Sequence, residues 1–186
     1  MKIVLVGKSG SGKDTIASIL KTKLNYEFVV LTTTRPMRDY ESENNPYHFV
    51  SNKKFEEFIS KNELIEYRSY STILNNIEDL WYYGIHKSDL LNDTNYIITN
   101  TLEGLKVIKK EFDDVISFFI NVDDELRTKR AMIRDNFDEI EWNRRLKADE
   151  IDFQNAFNEC DFIIDNHDLD STINKIINCI NLKGLK

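Results

Sequence analysis

The segment Gly7-Lys8-Ser9-Gly10-Ser11-Gly12-Lys13-Asp14-Thr15 constrains this chain more than any other. It follows the apolar run Ile3-Val4-Leu5-Val6 and leads into Ile16-Ala17-Ser18-Ile19-Leu20, whose pattern is helical. Strand, glycine loop and helix in that order make the context of a P-loop. Glycines let successive backbone N–H groups turn into one concavity, and the following helix adds its positive end. Such a concavity fits a polyphosphate, so Gly7 to Thr15 are the candidate ATP-binding residues. Lys13 is placed to reach the β- and γ-phosphates as a mobile point charge. The usual pattern puts a Mg²⁺-binding hydroxyl after the lysine. Here Asp14 stands in that position and Thr15 comes one place later. A glycine-rich turn that holds no phosphate is the alternative, and it would not require both flanks.

The 186 residues suit one domain, with room for inserted lobes. A net charge of −7, with no offsetting run of Lys and Arg, argues against a nucleic-acid partner. No apolar run approaches membrane-spanning length, and Met1-Lys2 leads into a short strand rather than a signal peptide. The expectation is a cytoplasmic protein with no membrane partner. Its two cysteines, Cys160 and Cys179, have no metal-binding spacing and read as small apolar residues in a reducing compartment. The histidines likewise have no partner at metal spacing.

Along the chain, Tyr26–Leu31 reads as a strand, and Thr32 to Asn45 as a loop broken by Pro36. Tyr47–Ser51 is a short strand, and Ser51 caps a helix with Phe55, Phe58 and Ile59 on one face. Leu64–Tyr70 alternates as a strand, Ser71–Leu80 reads as irregular, and Tyr82–Ile85 is extended. After that the βα alternation resumes. Tyr96–Ile98, Val115–Val122 and Phe162–Ile164 are strands; Leu102–Ile108 and Leu169–Leu182 are helices. Between them lie two more helices, one bearing Arg127, Arg130 and Arg134, the other Trp142, Arg145 and Glu150. Alternation with apolar strands predicts an α/β fold: a central parallel sheet with helices on both faces. The expected division is a core of 1–31 and 86–186, an inserted small α+β lobe over 32–85, and a helical lid over 127–145.

Thr33-Thr34-Arg35-Pro36-Met37-Arg38, Tyr47-His48-Phe49-Val50-Ser51, Phe55, Leu64-Ile65-Glu66-Tyr67 and Tyr82-Tyr83-Gly84 resemble the guanylate kinases in order and nearly in spacing. Arg130 with Arg134, and Arg145-Leu146, resemble that family's lid arginines and the helix after them. Phe162 to Asp168 resembles its last strand, where an Asn, here Asn166, lies beside the adenine. The resemblance covers almost the whole chain. It implies ATP-dependent phosphoryl transfer to a nucleoside monophosphate, most simply GMP or dGMP, with Mg²⁺ and small-molecule nucleotides as partners and a monomer or homodimer as the assembly. It assigns Arg35, Arg38, Tyr47 and Tyr83 to the acceptor phosphate, which arginines clamp bidentately. Lys13, Arg38, Arg130, Arg134 and Arg145 become the catalytic cations, closing over the phosphates as lobe and lid shut. Glu66 becomes the base reader: a carboxylate accepts from guanine N1–H and the exocyclic amine, and it repels adenine.

Four places depart from the family pattern. Leu31 stands where a base-contacting serine is expected, and Ile85 where a Ser or Thr follows Tyr-Gly. Ser71–Trp81 looks inserted, and Thr99 and Thr101 replace strand-end acids. These leave open a kinase for another nucleoside monophosphate, a relative acting on ribose bisphosphate, or a non-catalytic binding module. Asp14 is the candidate that brings the missing carboxylate back to Mg²⁺; favouring the helix N-terminus is its other reading.

Overall fold

In the computed structural model, which describes residues 1–37, 41–42, 47–74, 77–90, 94–133 and 137–184, every residue of the first strand is buried. In chain order the elements are β1 (Lys2–Val6), α1 (Lys13–Leu24), β2 (Glu27–Phe28), β3 (Leu31–Thr33), β4 (Tyr47–Phe49), α2 (Asn52–Ser60), β5 (Leu64–Leu74) and β6 (Ile77–His86). There follow β7 (Tyr96–Asn100), α3 (Leu102–Glu111), β8 (Val115–Asn121), α4 (Asp124–Met132), α5 (Glu139–Asp152), α6 (Ala156–Glu159), β9 (Phe162–Asp165) and α7 (Leu169–Gly184). The chain forms two units, one of residues 1–28 with 95–186, the other Val29–Thr94.

The first unit is built on a parallel sheet of order β2-β7-β1-β8-β9. Ile3 and Leu5 of β1 point to one face, where they meet Ile16 and Leu20 of α1 and Ile173 and Ile176 of α7. The other face is covered by α3, through Leu102, Leu105 and Ile108, and by Phe153, which stacks on Phe119 of β8 at 6.2 Å. With both faces covered, β1 and β8 must be apolar at successive positions rather than alternating, which is the pattern of their sequences.

The second unit holds a four-stranded sheet of order β4-β3-β6-β5, with β3 parallel to β4 and the other pairs antiparallel. Helix α2 buries Phe55 completely against Tyr82, ring on ring at 5.2 Å. A Cβ at Gly84 would stand 3.0 Å from the Phe55 ring, so the glycine lets helix and sheet close together.

Two elements differ from expectation. Ser71–Leu74 and Ile77–Leu80 are not irregular: they extend β5 and β6, with Ser71 opposite Leu80 and Thr72 opposite Asp79, and residues 75–76 lie outside the described residues. Ladder hydrogen bonds do not need apolar alternation, and these polar residues conceal the strands. Tyr26–Leu31 is not one strand either. Glu27–Phe28 pairs with β7 in the first sheet, while Leu31–Thr33 belongs to the second, so the chain changes sheets there. Among the described residues, no helix is long and apolar enough to cross a membrane.

Candidate active site

The P-loop lies between the C-terminal end of β1 and the start of α1. Gly10 (φ +75°) and Gly12 (φ +89°) take left-handed backbone that a side chain would strain. Gly10 also has no room for one: a Cβ would lie 3.1 Å from both the Arg127 carbonyl oxygen and the Trp142 ring. Gly12 caps α1 without any side-chain bond, which leaves the helix end to a ligand. The Lys13 ammonium donates to the carbonyl oxygens of Gly7 and of Lys8 (3.1 Å), tying it across the loop. The Ser11 N–H donates to the Lys8 carbonyl at 3.2 Å, and the Ser11 hydroxyl is buried. Asp14 and Thr15 are exposed in the first turn of α1, and Lys8, Ser9 and Gly10 are half-buried.

A polar network holds the loop from below. The side chain of Arg127 on α4 is wholly buried; one of its nitrogens donates to the Ser9 carbonyl and to Asp149 of α5, both at 2.7 Å. Asp149 in turn accepts from the Ser9 N–H at 2.8 Å. The other Arg127 nitrogen donates to Asp124, and that bond chiefly holds the Asp124 carboxyl below its ordinary range. Asn166 follows β9 and joins the same assembly. Its amide donates to the Ser11 carbonyl at 2.8 Å, and its side-chain oxygen accepts from Thr172 at 3.1 Å.

Of the expected lid cations, Arg130 on α4 donates to the Asn166 carbonyl at 2.9 Å. Arg145 on α5 donates to Glu141 at 2.8 Å, alongside Arg144. Burial pushes the Glu141 carboxyl up, but the two arginines outweigh it and hold it below its ordinary range. Arg134 lies outside the described residues, as does Arg38.

In the second unit, Arg35 follows β3 with 5% of its surface exposed. It grips both carboxylate oxygens of Glu41, at 2.7 and 3.0 Å, and its guanidinium lies 5.4 Å from the Tyr47 ring and 5.5 Å from that of Phe49. Burial opposes its charge, but Glu41 and the tyrosines more than offset this and raise its pKa. Tyr47 meets Tyr83 edge to face at 5.7 Å, and Tyr83 meets Tyr70 at 5.8 Å. Glu66 is 6% exposed and accepts from Arg68 at 2.8 Å. Leu31 and Ile85 are buried. The unit thus gathers Arg35, Tyr47, Glu66 and Tyr83 into one polar and aromatic set.

Asp149, Glu41 and Arg68 are partners that sequence reasoning missed. Asp149 lies seven residues after the buried Trp142, so the two share a helix face; a carboxylate on a buried stripe is the signal. Arg68 is two residues from Glu66 and shares its strand face.

A family model described as guanylate kinase matches residues 1–183. A guanylate kinase of Wigglesworthia glossinidia brevipalpis is 34% identical over 200 residues, spanning 100% of this chain and 89% of its own length. One of Prochlorococcus marinus (strain MIT 9312) is 31% identical over 184 residues, covering 96% of this chain and 95% of its own. Among solved structures, a guanylate kinase from Anaplasma phagocytophilum aligns with a TM-score of 0.72 and 21% identity, covering 100% of this chain and 87% of that one. That last likeness speaks for the fold, and the sequence matches carry the family. With an intact glycine loop on a five-stranded parallel sheet, the chain belongs to the guanylate kinase family.

Proposed function

We infer that this protein transfers the γ-phosphoryl group of ATP to GMP, releasing ADP and GDP. The observation that carries the reading is the family match across residues 1–183 of a chain whose P-loop keeps Gly7, Gly12 and Lys13. Phosphoryl transfer needs positioning and charge neutralisation more than covalent chemistry. The loop amides and Lys13 bind the ATP phosphates. Arg130, Arg134 and Arg145 supply further positive charge as the transition state forms. Asn166 binds on the adenine side. Arg35, Arg38, Tyr47 and Tyr83 take the acceptor phosphate. One terminal nitrogen of Arg35 already holds both oxygens of a carboxylate, Glu41, while the other donates to the Pro36 carbonyl, and exchange of the carboxylate for a phosphate fits that site. Glu66 reads the base.

Asp14 is the residue for Mg²⁺. Its exposed carboxylate stands directly after Lys13 at the start of α1. Among the described residues no group of three or more His, Cys, Asp and Glu could hold a metal. A single carboxylate completed by phosphate oxygens and water is a normal Mg²⁺ environment, so the residues present fit the ion. Bound there, Mg²⁺ would neutralise charge on the β- and γ-phosphates.

The test is ADP release with ATP and Mg²⁺ across GMP, dGMP, AMP, dAMP, CMP, dCMP, UMP, dTMP and ribose 1,5-bisphosphate. Preference for GMP or dGMP is expected. Preference for another acceptor would keep the phosphate chemistry and overturn Glu66 as base reader. No turnover with any acceptor would overturn the kinase reading in favour of a binding module.

A further inference from the structure

Glu66, Arg68 and Tyr70 occupy alternate positions of β5 and so share one face. Arg68 donates from a terminal guanidinium nitrogen to one Glu66 carboxylate oxygen at 2.8 Å, and its guanidinium lies 5.9 Å from the Tyr83 ring opposite it in the hairpin. Burial opposes the Arg68 charge, but Glu66, with Tyr70, more than offsets it and raises the pKa, so the group is a fixed cation. Two nearby positions can offer a base edge nothing, because Leu31 and Ile85 are buried hydrocarbon.

A carboxylate with an arginine N–H beside it displays acceptor, acceptor and donor in one row. The Watson–Crick edge of guanine displays the complement: the N2 amine donates, N1–H donates and O6 accepts. Adenine has no amine at C2, a lone pair at N1 and a donor at C6, so it opposes the row at N1 and again at C6. Hypoxanthine matches two of the three and lacks the amine. We propose that Arg68 is a specificity-determining residue that donates to O6 of the acceptor guanine while Glu66 takes N1–H and the N2 amine. The proposal rests on Glu66 as base reader. It supplies the hydrogen-bonding partner that Leu31 and Ile85 do not. A purely structural Arg68, which only steadied Glu66, would not sense the atom at position 6.

The experiment compares kcat/KM for GMP and 6-thio-GMP, at a pH that keeps N1 of both protonated, in the unaltered protein and in Arg68→Met and Arg68→Lys. Sulfur at position 6 is a poor acceptor, while the other two groups stay. The unaltered protein is expected to prefer GMP by about tenfold, the worth of roughly one good hydrogen bond. In Arg68→Met the preference falls to about one, and GMP itself loses about 10- to 100-fold; Arg68→Lys keeps part of the preference. A preference unchanged in Arg68→Met, or absent from the unaltered protein, overturns the proposal. A second comparison, GMP against IMP in Glu66→Met, which removes both acceptors, separates this from failure of the underlying reading. If the preference for GMP over IMP survives in Glu66→Met, Glu66 does not read the amine, whatever Arg68 does.

Discussion

A single nitrogen of Arg127 lies 2.7 Å from Asp149 and 2.7 Å from the carbonyl oxygen of Ser9, so one guanidinium joins a carboxylate of α5 to the backbone of the P-loop. Asp149 closes the ring by accepting from the Ser9 N–H. The arrangement does two things at once. It pins the first half of the loop in both directions of hydrogen bonding, and it neutralises a buried carboxylate against the loop backbone.

Removing Arg127 alone should therefore do more damage than removing both partners. Arg127→Met leaves Asp149 buried without its cation, at about 3 kcal/mol or more. In a chain of this size that lowers Tm by about 6–12 °C. Arg127→Met with Asp149→Leu should recover most of the Tm, because a buried pair replaced by apolar groups is nearly neutral. The double variant still lacks the loop's anchors, so its KM for ATP should stay raised by about tenfold while KM for GMP moves little. Thermal melts and two-substrate kinetics check this. If KM for ATP returns to the unaltered value along with Tm, the pair stabilises the fold and does not position the loop.

The Lys13 ammonium donates to the loop carbonyls of Gly7 and Lys8, bonds that phosphate oxygens can replace one for one. Lys13→Met should lower kcat by about 10²–10³ through lost transition-state charge. Tm should change little, since Lys13 is only partly buried. A steady-state assay with a melt on the same sample decides it; a kcat within a few-fold of the unaltered protein removes Lys13 from the catalytic set.

The P-loop was readable in the sequence because its glycines have a local reason to be where they are, and Gly10 and Gly12 do adopt left-handed backbone. The parallel sheet was readable because burial on two faces leaves unbroken apolar runs. The Arg127–Asp149 pair was not, since its members lie 22 residues apart on different helices and no periodicity joins them. The long hairpin was missed for another reason. Ser71, Thr72, Glu78 and Asp79 show no apolar alternation, so the strands that hold them carry no period-two signal. Arg35 was legible as a candidate cation, but its anion Glu41 lies six residues further on, a separation that neither helix nor strand spacing pairs.

Asp161 offers a stability prediction with a sign. Its carboxylate accepts from the Ser117 N–H at 2.8 Å and the Ser117 hydroxyl at 2.6 Å, with Lys183 at 3.3 Å and Lys109 at 3.5 Å. Burial alone would raise its pKa, but these bonds and charges outweigh it and leave the pKa lowered. A lowered folded-state pKa contributes stability that is present above the unfolded value, about 4, and is lost as the pH falls through the folded value. Asp161→Asn should cost about 1–2 kcal/mol at neutral pH. Its loss of stability below about pH 4 should also be shallower. Urea unfolding at several pH values measures both. Parallel acid profiles for the two proteins would show that Asp161 titrates alike in both states.

The Mg²⁺ role proposed for Asp14 can be told apart from a role at the helix end. A carboxylate in the first turn of α1 favours the positive helix end whether or not it binds an ion. The two roles separate under substitution. Asp14→Ser restores the usual hydroxyl and remains compatible with the helix start, so Tm should fall by no more than about 3 °C. If Asp14 ligates Mg²⁺ beside the ATP phosphates, the Mg²⁺ concentration for half-maximal rate should rise by about three- to tenfold, because a charged ligand is replaced by a neutral one. The direction matters more than the size. A Mg²⁺ titration at fixed ATP, with Mn²⁺ as a parallel series, reads the change directly. An identical metal dependence in the two proteins, with only the small Tm change, would assign Asp14 to the helix end and leave the ion to the phosphates and water.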